Sequence, residues 1–242
     1  MKPYDPTKEI ELAVRSGFLS KEIWIEFFAP KNLRWRNELW EFLYKRGYFL
    51  THYSKRAADI LVPNSKNVLV KKIACDSITM APPVGVIDHD ETVVKSFLKL
   101  KQLGILDTAY FEGELKRQDL RSRRNYNPAD RTKYPDLLIS LIGPNSNKKI
   151  ALELELSRKE PKRYRQMMNS FMTTKEISSI IFITQLETVK NGIKAAIRET
   201  YFPEWEKPVG FVDLDQWRND LVNAPIYFSD KTKTLQQMSV AA

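Results

Sequence analysis

In Ile150-Ala151-Leu152-Glu153-Leu154-Glu155-Leu156 an apolar start passes at Leu152 into strict apolar–polar alternation with a period of two. Together with Leu137-Leu138-Ile139, which lies upstream across a short polar turn, this segment reads as a β-hairpin. On a strand of that register Glu153 and Glu155 share one face, and Leu152, Leu154 and Leu156 fill the other. A nearly unbroken apolar run from Ile177 to Thr184 reads as a strand buried in a mixed or parallel sheet. Helical spacing appears between these runs, from Glu160-Pro161 through Met172 and again from Thr188 to Tyr201. Upstream, a helix is expected from Glu91 to Leu103, capped by Asp88 or Asp90 and stopped by Gly104, and a strand from Leu106 to Phe111. Val68 to Ala74 has the β-branched character of another strand.

The first third has a different rhythm. Thr7 to Arg15 is a short helical run closed by Ser16-Gly17. Ser20 caps a second helix, Lys21 to Phe28, with Ile23, Phe27 and Phe28 on one face. A third helix runs from about Leu33 to Lys45, its stripe formed by Trp35, Leu39, Phe42 and Leu43. A hairpin follows, with Tyr48 to Tyr53 and Asp59 to Pro63 flanking a basic turn. Three helices and a hairpin in this order are the winged helix-turn-helix plan. On that plan Arg34, Arg36 and Asn37 sit near the start of a DNA-recognition helix, and Lys55 and Arg56 at the wing tip meet phosphate. A solvated basic helix is the plainer reading of each residue taken singly.

The expected organisation is thus a winged helix over residues 1–75, a three-layer α/β domain with a mixed sheet over 76–230, and a polar tail over 231–242. Charge sharpens this picture. The net charge is +9. Residues 1–75 hold 14 Lys or Arg against 8 Asp or Glu, so most of the excess lies in the first third. A second basic stretch, Lys116 to Lys133, contains Arg121, Arg123 and Arg124 and reads as a loop without apolar period. Such a balance favours a polyanion, and the lack of a basic amphipathic helix favours double-stranded DNA over a membrane. No stretch has the length of a membrane span, and the first residues lack a signal-peptide core, which points to the cytoplasm. A single cysteine, Cys75, excludes a disulfide framework and reads as a small core residue.

The acids carry the chemistry. Two carboxylates a strand-step apart are costly to bury unless a cation lies between them. Asp136, Glu153 and Glu155, all oxygen donors, suit Mg²⁺ or Mn²⁺, and such a site serves phosphodiester hydrolysis. The alternative is an amphipathic edge strand with two solvated acids. His52 and His89 are the only histidines, too few for a nickase that uses a paired-histidine metal site and a tyrosine nucleophile. No phosphate-cradling glycine loop supports ATP-driven work. His52 reads as a strand-surface residue. His89 lies either at the site's rim or at a helix start, and Tyr164 is either a nucleophile or a packing aromatic.

Pro135-Asp136 and Glu153-Leu154-Glu155, in the order helix, three strands, helix, strand, resemble the core of the PD-(D/E)xK nuclease superfamily. Glu155 stands where that motif has lysine, and Lys159, Lys162 and Arg163 follow as substitute cations. Gly17-Phe18-Leu19-Ser20, His89-Asp90, and Ala151 to Lys159 followed by Pro161 and Tyr164 extend the resemblance to the replication-relaxation family, within it to MOBC relaxases that mobilise plasmids. The resemblance covers roughly residues 7–200. It implies metal-dependent nicking of one DNA strand at a plasmid transfer origin, with accessory mobilisation or coupling proteins as partners. In that scheme Asp136 and Glu153 hold the metal, Glu155 is a third ligand or general base, and Lys159 polarises the phosphate. A catalytically inactive origin-binding replication or transcription factor on the same fold is the other reading.

Overall fold

The computed structural model describes residues 4–32, 35–52, 59–75, 77–122, 133–143, 146–199 and 207–240. The chain is mixed α/β and divides into two compact units, Met1–Lys95 and Ser96–Ala242.

In the first unit, α1 (Thr7–Ser16) is followed by β1 (Leu19–Ser20), α2 (Lys21–Phe27), α3 (Arg36–Lys45), β2 (Phe49–Thr51) and β3 (Ile60–Pro63). β3 lies between β1 and β2 and is antiparallel to both. Ser20 caps α2 by accepting the Ile23 N–H at 3.2 Å. The core gathers Ile10, Phe18, Leu19, Ile23, Trp24, Trp40, Leu43, Phe49 and Ile60. The apolar stripe of α3 differs from the expected one: Trp40 and Leu43 are buried, whereas Trp35 is 40% exposed. Trp40 packs on Trp24 with ring centroids 5.5 Å apart, and this pairing sets the rotation of α3.

Gly17 ends α1 in the left-handed region, φ 91°, with its N–H on the Ala13 carbonyl at 2.7 Å. A Cβ there would fall 2.3 Å from the Met80 carbonyl oxygen. Gly17→Ala therefore combines backbone strain with a clash against main chain, and is expected to cost on the order of 2 kcal/mol, read as a lowered denaturation midpoint. An unchanged midpoint would show that the Met80 segment yields freely.

Val68–Ala74 is a helix, α4, and not a strand. The Asn67 side chain accepts N–H groups from Leu69 and Val70, and this cap overrides the β-branched composition. Cys75 stops the helix at φ 45° and is exposed, contrary to its expected place in the core. A 3-10 turn at Val84–Val86 leads into α5 (Ile87–Gln102). Asp88 and Asp90 thus lie in the first turn of α5 and not at its cap.

The second unit contains β4 (Leu106–Phe111), α6 (Glu112–Ser122), β5 (Leu137–Leu141), β6 (Lys149–Leu154), α7 (Pro161–Thr173), β7 (Ile177–Ile183), α8 (Glu187–Glu199), β8 (Val209–Val212), α9 (Leu214–Asn219), β9 (Ile226–Tyr227), β10 (Thr232–Lys233) and α10 (Leu235–Val240). Its seven-stranded sheet has the order β10-β9-β8-β7-β6-β5-β4. β4, β5 and β6 form an antiparallel meander, and β6, β7 and β8 run parallel through the crossover helices α7 and α8. Those helices share one core with one sheet face, where Tyr164, Met168, Phe171, Val189 and Ile193 meet Leu138, Ala151, Ile180 and Phe182.

Two expectations fail in this unit. The basic stretch from Lys116 begins as helix, since α6 extends to Ser122. Residues 231–242 were expected as a polar tail, but β10 pairs with β9 and Leu235 is fully buried. Among the described residues, no helix is long and apolar enough to cross a membrane.

Candidate active site

β6 lies between β5 and β7, so it is an interior strand, and the edge-strand reading of its acids falls. Residues alternate across its two faces, and Ala151 belongs to the face covered by α7 and α8, which puts Glu153 on that face too. The β5–β6 register pairs Leu137 with Leu152, so Asp136 comes opposite Glu153. The two acids are interlocked through main chain. The Asp136 N–H donates to Glu153 Oε2 at 3.2 Å, and the Leu154 N–H donates to Asp136 Oδ2 at 2.8 Å. This arrangement lies at the carboxyl end of β6, where the parallel part of an α/β sheet opens toward helix N-termini.

Glu153 is 7% exposed. Burial, followed by the charges of Asp136 and Glu155, pushes its carboxyl well above the usual carboxylate range, while Lys159 acts in the opposite sense. Glu155 is also buried, and its main chain continues the ladder by donating to the Ile183 carbonyl at 2.9 Å. Its carboxylate is ion-paired with the Lys159 ammonium, which reaches back from the connection to α7. Glu155 thus has an ammonium neighbour supplied by a lysine four residues on.

Tyr164 fixes that connection. Its hydroxyl accepts the Lys159 N–H at 2.9 Å, and its ring is buried against Gly192 of α8, where a Cβ would come 3.0 Å from ring carbon Cε2. Burial raises the Tyr164 phenol above its ordinary range. A buried, neutral phenol that accepts a main-chain hydrogen bond fits a packing and positioning role, so the packing alternative describes Tyr164.

Asp136 and Glu153 fit a hard divalent cation by two criteria, all-oxygen donors and mutual repulsion that a cation relieves. Among the described residues, no group of three or more His, Cys, Asp or Glu side chains is gathered as a ready ligand cage. His89 pairs its Nδ1 with Asp90 Oδ1 at 2.8 Å in the first unit.

The DNA-contact expectations divide. Arg34, Lys55, Arg56, Arg123 and Arg124 lie outside the described residues, and Arg121 falls in α6 with its side chain undescribed. Asn37 is exposed in the first turn of α3. Arg36 Nε donates to the Pro30 carbonyl at 3.1 Å, so this arginine also holds the turn between α2 and α3.

One group of residues escaped the sequence reading as a set: Lys133 with Lys116 and Arg163. The Lys133 main chain is tied to α7 through Ser170 Oγ at 3.1 Å. Its amine is half-buried, and burial followed by the charge of Arg163, then of Lys159 and Lys116 against that of Glu112, holds it below the ordinary lysine range. The visible signal was only that Lys133 lies three residues before Asp136. Comparison with known proteins returns no match among family models, curated proteins or solved structures.

Proposed function

We propose that the protein is a metal-dependent DNA endonuclease that nicks one strand at a plasmid transfer origin during conjugative mobilisation. The observation that carries this reading is the interlocked pair Asp136–Glu153 at the end of β6, with Lys159 returned to the same place through its ion pair with Glu155. Two acids and one lysine there are the parts of a PD-(D/E)xK nuclease site, displaced by four residues for the lysine. The order α5, β4, β5, β6, α7, β7 supports the same core.

Asp136 and Glu153 would hold Mg²⁺ or Mn²⁺, which supplies phosphate polarisation and an activated water when bound. Lys159 offers its ammonium to developing charge on the phosphate, Glu155 orients that ammonium, and Tyr164 holds the connection that carries it. Glu155 acts on Glu153 by charge, and on this reading its pairing with Lys159 makes it the positioning residue for that ammonium and not a metal ligand.

The first unit supplies target choice on this reading. The sequence α1, β1, α2, α3, β2, β3, with β3 central, supports a winged helix whose α3 enters the major groove. Asn37 is the cleaner probe of α3 because Arg36 also bonds Pro30. Asn37→Ala is expected to weaken binding to the preferred site by about 1 to 3 kcal/mol and to leave non-specific binding unchanged, as read in a titration at fixed salt. Equal affinity on every sequence would remove α3 as the reader. The enzyme itself is tested by incubating the protein with supercoiled cognate plasmid and Mg²⁺ or Mn²⁺. Open circles are expected, and their absence with intact DNA binding would leave an inactive origin-binding factor.

A further inference from the structure

Cations in the second unit concentrate beside the acids from three separate elements. Lys116 on α6 pairs with Glu112 at 2.6 Å, and the Glu112 N–H donates to the Asp136 carbonyl at 3.2 Å, which ties this cation to the acid strand. Lys133 precedes the same strand, its main chain fastened to α7 by Ser170. Arg163 stands in the first turn of α7, whose N-terminus adds the positive end of a thirteen-residue helix dipole. Among the described residues, neither Lys133 nor Arg163 has a carboxylate within ion-pair distance, and the charge of Arg163 acts on Lys133. Like charges held together on anchored main chain are unfavourable in the free protein and are relieved by an anion. Arg163 offers a planar fork of donors, and Lys133 and Lys116 offer point charges, a combination that suits phosphate oxygens.

We infer that Lys133, Arg163 and Lys116 form a seat for a backbone phosphate of the DNA strand being processed, next to the phosphate that Asp136 and Glu153 would address. The seat deepens the proposed function and rests on it for the identity of the strand, but its binding chemistry needs no divalent cation. It holds the substrate strand in register with the acids, and its residues position the strand without touching the reacting atoms.

The test is affinity of the full chain for a short fluorescein-labelled single-stranded oligodeoxynucleotide, measured by anisotropy in EDTA across a salt series. One lost phosphate contact should lower affinity about fivefold near 0.1 M salt and reduce the slope of log affinity on log salt by about 0.7. Lys133→Gln and Arg163→Gln should each show this, the double variant about twice the slope change, and Lys133→Arg should retain wild-type affinity. Unfolding curves of the variants should overlay that of wild type. Unchanged affinity and slope in both single variants overturns the seat, even if plasmid nicking is intact. A Lys133-dependent loss with no nicking by wild type keeps the seat and removes the nuclease. Millimolar inorganic phosphate should displace the oligonucleotide no more than chloride of equal ionic strength. Displacement beyond that, abolished by Lys133→Gln, would make this a site for free phosphate and overturn the assignment to a DNA strand.

Discussion

Asp136→Asn and Glu153→Gln should each lower nicking of supercoiled cognate plasmid by about a thousandfold while DNA affinity stays at the wild-type level. Both variants keep the shape of the side chain and part of its hydrogen bonding. In Asp136→Asn the new amide oxygen can still accept from the Leu154 N–H, and in Glu153→Gln it can still accept from the Asp136 N–H, so the β5–β6 junction should persist. What disappears in each is one of the two charges, and with it most of the affinity for a hard cation. Stabilisation by added Mg²⁺ or Mn²⁺, which follows from a ligand binding the folded chain alone, should vanish in step with nicking. Glu155→Gln should separate from these two. Its carboxylate pairs with Lys159, so its loss should free the ammonium and slow nicking while cation-dependent stabilisation is retained. If Asp136→Asn nicks at the wild-type rate, the acids are a structural pair and the enzyme reading is lost.

The acids were legible because buried strands rarely carry charge. The alternation around Glu153 and the proline before Asp136 marked both strands correctly, and the helix beginning at Pro161 and the apolar strand from Ile177 followed from period and capping alone. Elsewhere local composition misled. Val68 to Ala74 is rich in β-branched residues, but a short apolar run does not declare its period, and the Asn67 cap decides it. The stripe of α3 was right at Leu43 but missed Trp40 and misplaced Trp35, since the packing of Trp40 on Trp24 is a long-range fact. The strands β8, β9 and β10 are short, and their pairing is not written in any local pattern. The charge constellation around Lys133 was the least legible of all. Its members are 17 and 30 residues from Lys133 along the chain, and only the folding of α6 and α7 against the acid strands assembles them.

Without divalent cations, the folded chain should lose stability as pH rises through the window above the ordinary glutamate value, and Glu153→Gln should remove part of that loss. The sign follows from the buried carboxyl. Glu153 has its pKa raised in the folded state, above the 4.5 of the open chain, by burial and by Asp136 and Glu155. Between those two values the folded chain holds a proton that the unfolded chain has released, so stability falls as pH increases. The contribution is fully present below about pH 4.5 and is lost as pH rises through the folded value. One such proton gives a slope of at most about 1.4 kcal/mol per pH unit. Glu9, buried in the first unit and also raised by burial, adds a decline of the same sign, so the wild-type curve alone does not isolate Glu153. The difference between wild type and Glu153→Gln does, because Glu9 is common to both. Denaturant midpoints collected from about pH 5 to pH 8 in EDTA should therefore diverge, with the variant gaining on wild type toward neutral pH. Saturating Mn²⁺ should close the gap by stabilising only the wild type. Parallel curves in EDTA would mean that Lys159, already paired with Glu155, neutralises Glu153 as well, and that the acid pair holds no repulsion for a metal to relieve.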